Sequence, residues 1–399
     1  MKWASAINDS SDLRGGLAYC AISVSKQLGA DAPPSLVVVF ASTSYGPLLQ
    51  RVPAMLASRF PGSLIVGCSA GGVLAEGREI EDRPAVSLIA GHLPGTVIAP
   101  FRLSPTSLPT PDHPPDAWMQ VVGTTPGSAP SLLLFVDPFS MDSEELLEGL
   151  DFAYPASVKV GGLASGGRGP GAHTLFLESG VYTDGAVGVA LSGNITVDAL
   201  VAQGCHPIGE PRSITRCYRN MLMEIDGETP VAYLRRLFPT LSPNEQVLMR
   251  QALFLGLATD PLADIDTASA GEFLIRRIIG AERDDGALTI RGDLQEGQIV
   301  RFYVRDAATS AQDLLGQLGR YRGVGHENPP KGVLLFQCNG RGAGLYGVPD
   351  HDSSLLRAAL GPMPLAGFFC AGEIGPVGKA TYLHTYTSSL AIFREKDAS

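Results

Sequence analysis

Read by polarity, the chain alternates short apolar runs with polar, glycine-containing turns, and three of the runs end in phenylalanine: LVVVF at Phe40, LLLF at Phe135 and VLLF at Phe336. Apolar runs of this length, bounded by turn residues, predict buried strands. Each is followed by a polar or glycine-containing loop, a stretch with helical periodicity, and a second apolar run closing in a glycine-rich turn. Those turns are VGCSAGG (66–72), GGLASGG (161–167) and GFFCAGE (367–373). Phe40 and Gly67 are 27 residues apart, as are Phe135 and Gly162, while Phe336 and Gly367 are 31 apart. Matching offsets predict one strand-helix-strand unit present three times, too few and too long for a solenoid.

Helix starts are legible from their caps. In the second unit Asp142 precedes the helix, Glu145 sits at the capping-box position, and Leu146, Leu147 and Leu150 recur at helical spacing. In the first unit Pro53 interrupts the helical pattern, which predicts a start near it. Farther on, Thr229 with Pro230 opens VAYLRRLF, and Ser242 with Glu245 opens LSPNEQVLMRQALFLGL. SAQDLLGQLG reads as a helix, and EFLIRRII, GALTIRG and QIVRFYVRD read as strands. So do AVSLIAG, TVIAPFRL, HTLFLES, GAVGVALSG and ITVDALVAQG.

One crossover per unit implies parallel pairing, and short connections imply antiparallel neighbours. The expected fold is α/β (α+β mixed): layered mixed β-sheets flanked by helices, built from repeated strand-helix-strand units, in two domains. The pattern changes near GCHPIGEPRSITRCYRN, which puts the boundary at about residue 225. The expected domains are 30–225 and 226–390, with 1–29 packed on or preceding the first. Residues 104–116, rich in Pro, Ser and Thr, read as a surface connection.

Composition narrows the partners. With 399 residues, 45% hydrophobic and 18% charged, the chain is a globular protein of more than one domain. A net charge of -10 opposes binding to a phosphate backbone, so nucleic acid is not expected. The N-terminal apolar stretch is broken by Asn8 and Asp9, and SLVVVFA and SLLLFV are strand-sized, which predicts a cytoplasmic protein without membrane insertion. The six cysteines lack framework spacing, the seven histidines are scattered, and neither C-x-x-C nor H-E-x-x-H occurs. No metal and no cofactor are expected. SGGRGPG (165–171) does not fit G-x-G-x-x-G before a helix, and there is no P-loop.

Gly67-Cys68-Ser69-Ala70-Gly71 matches G-x-S-x-G, but charged turns and a strand follow where a nucleophile elbow needs a helix. Cys68 and Cys370 lie at turns, where backbone N–H groups can activate a thiol; a core position would make them small hydrophobes instead. Glu373, directly after FFCAG, is costly to bury unless paired, and Arg341 in CNGRGAG offers a guanidinium fork. The two read either as a clamp for a zwitterion or as an ion pair. If the units pack symmetrically, the three glycine turns converge on clefts at strand ends, where N–H groups receive carboxylate or phosphate. The expected ligand-binding residues are Gly67, Cys68, Ser69, Gly71, Ser165, Gly166, Arg341, Cys370, Gly372 and Glu373, with no catalytic residue.

LIVGCSAGG, VGGLASGG, GCHPIGEPRSITRCYRNMLMEIDGETPVAYL, GVLLFQCNGRG, PLAGFFCAGEIGP and LHTYTSSLAIF, in that order over nearly the whole chain, resemble the FIST family (F-box and intracellular signal transduction). The resemblance implies an N-terminal FIST domain from about 30 to 225 and a C-terminal one from there to about 380. It further implies a sensory module for small ligands, amino acids being the usual proposal, alone or joined to signalling domains in bacteria and to an F-box in eukaryotes. No segment outside the two domains has the length of a kinase, an output domain or an F-box, which predicts a stand-alone sensor signalling through a separate partner. The family supplies no established catalytic set. Two other readings stand beside the sensor: an enzyme using Cys68 or Cys370 as nucleophile, and a protein-interaction scaffold.

Overall fold

The computed structural model describes residues 1–109, 113–260, 273–282 and 285–397. Its contacts divide the chain into two compact units, one of residues 1–202 with 314–399 and one of residues 203–313. The expected boundary near residue 225 falls in the strand Met221–Ile225, inside the second unit, so it does not mark a division by contacts.

In the first unit each predicted pair of apolar runs forms a parallel strand pair: Leu36–Ser42 with Leu64–Ala70, Ser131–Val136 with Lys159–Leu163, and Gly332–Cys338 with Leu365–Cys370. Each pair sits at the centre of its own six-stranded sheet. The strand beside the first member of each pair is antiparallel to it: Val86–His92, Ala186–Gly193 and Ser388–Arg394. The far edge of each sheet is a hairpin brought from elsewhere in the chain. The hairpin after the first pair, Gly72–Ala75 with Arg78–Glu81, joins the third sheet. The hairpin after the second, Leu175–Leu177 with Gly180–Tyr182, joins the first sheet. The hairpin after the third, Glu373–Val377 with Ala380–His384, joins the second. The exchange is cyclic, so no sheet is complete without chain from another.

LVVVFAS, SLLLFV and GVLLFQC are apolar on both faces because both faces are covered. On the inner side Phe40, Phe135, Phe336 and Phe368 meet in one core cluster, with Phe40 at 5.5 Å from Phe135 and 4.7 Å from Phe368 by ring centroids. Phe336 lies 6.2 Å from Phe135 and 5.9 Å from Phe368. The strand-ending phenylalanines are thus the common centre of three sheets, where truncating one to alanine costs about 3–5 kcal/mol. Helices cover the outer faces: Leu13–Leu28 and Val52–Ala57 on the first sheet, Pro115–Val122 and Ser143–Ala153 on the second, His351–Leu360 on the third.

The caps form as the sequence predicts. Asp142 accepts from the N–H groups of Glu144 and Glu145, Thr229 accepts from Ala232 N, and Ser242 with Glu245 makes a capping box. Other expectations are corrected. LSPNEQVLMRQALFLGL is helical only over Pro243–Gln251, and Leu253–Ala258 is a strand, because the backbone breaks at Ala252 and the apolar run enters a sheet. Residues 1–29 join the first unit directly: Lys2–Asn8 pairs with Val86–His92 in the first sheet, and Leu13–Leu28 packs on it. Residues 110–112 of the expected surface connection lie outside the described residues, and its end begins the helix Pro115–Val122.

The second unit contains a closed barrel in the order His206–Tyr218, Met221–Ile225, Leu288–Ile290, Phe273–Ala281, Leu253–Ala258, Ile299–Val304. Leu222, Leu255, Val300 and Phe302 are in its core. No helix among the described residues is long and apolar enough to cross a membrane.

Candidate functional site

The glycines at the start of each glycine turn are required by the sheet itself. A Cβ on Gly67 would lie 1.8 Å from the carbonyl oxygen of Val39, and on Gly161 or Gly367 1.9 Å from that of Leu134 or Leu335. The corresponding residue in the second turn is therefore Gly161, not Gly162. Gly67, expected at a ligand, is placed by this backbone contact.

Past these glycines the turns do converge within the first unit. Ser165, 1% exposed, links all three: its N–H donates to Ser69 O at 3.4 Å, its Oγ accepts from Gly71 N at 2.9 Å, and its hydroxyl donates to Phe369 O. Gly71 and Gly166 meet backbone to backbone, since a Cβ on Gly166 would lie 2.8 Å from Gly71 Cα. The second turn is braced by His173, whose Nε2 accepts from Gly167 N at 3.1 Å. Its Nδ1 therefore carries the hydrogen that buried Asp137 accepts at 2.9 Å.

The converging turns open on a cleft of about 770 Å³. Gly71 and Gly72 bound it from the first turn, Gly166, Gly167 and Arg168 from the second, Phe369 from the third, and Asn339 and Arg341 from the loop after the strand Gly332–Cys338. The hairpin arm adds Glu79, Glu81, Asp82 and Arg83. The cleft thus carries both charge signs. Arg168 is exposed, with no ion pair among the described residues.

Of the expected binding residues, Gly71, Gly166 and Arg341 line this cleft and Ser165 supports it. The rest do not line it. Cys68 and Cys370 are wholly buried in the central core, where burial pushes both thiols well above the usual range; Glu373 and the neighbouring thiols push Cys370 further. Ser69 is buried with its Oγ accepting from Thr174 N at 2.9 Å. Gly372 is crowded by Leu383 and Leu163, whose methyls would lie 2.9 and 3.0 Å from a Cβ. Glu373 is wholly buried, facing His384 across its hairpin, and its Oε2 accepts from Thr387 N at 3.1 Å.

Arg341 is 1% exposed, and its ion-pair partner is Asp352 rather than Glu373. Nε donates to Asp352 Oδ2 at 2.6 Å, Nη2 to the Tyr346 hydroxyl at 2.6 Å, and Nη1 to Tyr386 O at 3.3 Å. Asp352 also accepts from Ser388 Oγ at 3.1 Å and contacts His351 Nδ1 at 2.9 Å. Burial opposes the charge on each partner, but each outweighs that for the other: Arg341 is held above its ordinary value and Asp352 well below the usual carboxylate range.

Asp352, Glu79, Glu81 and Arg168 were missed from sequence, though REIE (78–81) is the second strand of the hairpin that follows the first glycine turn. Glu81 Oε1 accepts from Ala343 N at 2.9 Å, and the carboxylate lies against Gly342, where a Cβ would come within 2.5 Å of Oε2. No group of His, Cys, Asp and Glu among the described residues is arranged to hold a metal ion.

The model of the FIST N domain matches residues 35–228, and that of the FIST C domain matches 230–376. An uncharacterized protein of Mycobacterium tuberculosis is 37% identical over 409 residues, covering 98% of this chain and 100% of that protein. One of Mycobacterium bovis is 34% identical over 396 residues, covering 96% of each. Among solved structures, cyanuric acid hydrolase from A. caulinodans aligns over 99% of this chain and 100% of that one, at 10% identity and a TM-score of 0.31. With two family models spanning nearly all of it, and with its order of glycine turns, the chain belongs to the FIST family, whose domains are sensory and in general bind small ligands.

Proposed function

We propose that this protein is a stand-alone sensor that holds a small ligand, an amino acid, in the cleft between the glycine turns and reports its occupancy to a separate signalling protein. The observation that carries this reading is the cleft itself. Its volume of about 770 Å³ is within the usual range for small-molecule sites, and its walls combine strand residues of the third sheet with loops that follow central strands of all three. Arg168 is the group for a ligand carboxylate, because its charge is not engaged by a carboxylate of the described residues, whereas that of Arg341 is held by Asp352. The acidic arm of Glu79, Glu81 and Asp82 is the side for a ligand ammonium.

Of the site expected from sequence, this reading keeps Gly71, Ser165, Gly166 and Arg341 as cleft wall and support. It also takes the three strand-helix-strand units as copies of one. The boundary near residue 225 is a division between family domains along the sequence, and the protein is cytoplasmic. The test is a thermal-shift screen of the full chain against the twenty protein amino acids and small carboxylates. A compound at a hundred times its dissociation constant should add about 2.7 kcal/mol of stability. No dose-dependent rise for any of them would count against amino acids as ligands.

A further inference from the structure

Glu79 lines the cleft from the hairpin strand Arg78–Glu81 and is only 6% exposed. Its two oxygens differ. Oε1 has a structural task, accepting from Ser353 N at 2.8 Å in the first turn of the helix His351–Leu360. The helix's own N-cap residue, Asp350, instead turns its carboxylate to Glu79 N, at 2.5 Å. Oε2 is buried and has no hydrogen-bond partner among the described residues.

The three sheets allow a comparison within the chain. Gly67, Gly161 and Gly367 each press against a partner strand's carbonyl, and so occupy corresponding places. Across the ladder they face Phe176, Ile374 and Leu74, respectively. Those residues in turn face Val181, Leu383 and Glu79 across their hairpins. At this position the other two sheets carry an apolar side chain, so the sheet does not need a carboxylate there. A carboxylate oxygen buried without a donor is costly, and the helix cap uses only the other oxygen.

The groups around Glu79 deepen that cost. Its carboxyl is raised to about 7, by burial first; the Ser353 N–H and, more weakly, the Ser353 hydroxyl work the other way, and Asp352 and Asp350 from the facing helix add to the rise. Arg341, which also lines the cleft, is held by Asp352, and Glu81 on the same strand is bound to Ala343 N. His351 contacts Asp352 as well.

We propose that Glu79 is a ligand-recognition residue of the cleft, its Oε2 accepting a hydrogen bond from an ammonium or other N–H donor of the bound small molecule while Oε1 keeps the helix cap. This rests on reading the cleft as a ligand site. It assigns the residue that, when ionised, selects for a nitrogen donor.

The test uses the full chain with carbon-13-labelled glutamate and methylammonium chloride as the probe. The Glu79 carboxyl resonance is identified by its loss in Glu79→Gln, which keeps an acceptor for Ser353 and so keeps the cap. Its titration is followed in methylammonium chloride and in potassium chloride of equal ionic strength. An N–H donor favours the ionised carboxylate, so the midpoint should fall by about half a unit or more in methylammonium, with exposed glutamates unmoved. Equal midpoints in the two salts, or a shift shared by exposed glutamates, overturn the proposal. The cleft reading fails or stands separately in the amino-acid screen. A stabilising amino acid with an unmoved Glu79 overturns the role of Glu79 and leaves the cleft. A Glu79 response without any stabilising amino acid supports Glu79 and removes that ligand class.

Discussion

Arg341→Ala should unfold the first unit at far lower denaturant rather than merely weaken a ligand contact. The guanidinium and Asp352 are both wholly buried as side chains, 2.6 Å apart. Removing the cation leaves a buried carboxylate whose remaining partners include Ser388 Oγ, His351 and the Tyr346 hydroxyl. Breaking a buried pair this way costs about 3–5 kcal/mol. The pH dependence gives the sign. In the wild type Asp352 is depressed, so its contribution is present above its unfolded value and is lost as pH falls through the folded one. In the variant burial dominates and Asp352 rises above its unfolded value; the cost is then full at neutral pH and shrinks on acidification, by up to about 1.4 kcal/mol per unit. The assay is urea denaturation followed by tryptophan fluorescence, which reports the first unit because both tryptophans, Trp3 and Trp118, are buried there. Measured at about pH 7 and again at about pH 4.5, the gap between wild type and variant should narrow. A loss below about 1 kcal/mol at neutral pH, or a gap that widens in acid, would refute the argument.

Other residues give independent tests. Ser165→Ala removes one hydroxyl that serves Gly71 N and Phe369 O and should cost about 2–4 kcal/mol by the same urea assay; a loss near zero would mean that the turns are not tied through it. Gly67→Ala should fail to yield folded protein, because its Cβ would meet Val39 O at 1.8 Å, whereas Gly319→Ala, in the helix Ala307–Gly323 with open space around it, should gain about 0.5–1 kcal/mol in thermal stability. Iodoacetamide at neutral pH should modify Cys205 and Cys217, which are part-exposed, and spare Cys68 and Cys370 until urea is added; peptide mass spectrometry that finds the latter pair modified in folded protein would revive a thiol nucleophile.

What was legible in the sequence was local. The three phenylalanine-ended strands, the caps at Asp142, Thr229 and Ser242, and the helix starting with Pro53 near its N-terminus follow from periodicity and side-chain chemistry within a few residues. The convergence of the turns was foreseen only as a consequence of symmetric packing, and the residues singled out for it divide by depth. Gly67, Cys68 and Cys370 sit where strands pack on one another, so their glycine or thiol character answers to the core. What was not legible depends on the hairpin exchange. Glu79 and Ile80 are both buried in a strand although the stretch reads as charged turns, because that hairpin lies against a sheet and helix almost three hundred residues away. Arg341 and Asp352 are eleven residues apart in sequence, but the burial that makes them one ion pair comes from the helix and the strand carrying Ser388. The strand Leu253–Ala258 continues the apolar pattern of the preceding helix and was read as part of it, since periodicity alone does not separate a short apolar strand from a helix end.

The most direct measurement is a calorimetric titration of the amino acid that most stabilises the protein into the wild type and into Arg168→Ala. Arg168 is exposed on the cleft wall, so the variant should melt where the wild type does without ligand. The account predicts one site per chain and an affinity about tenfold or more weaker in the variant, the loss expected for a charge-assisted contact. No heat with any compound of the screen, or equal affinity in the two proteins, would contradict it.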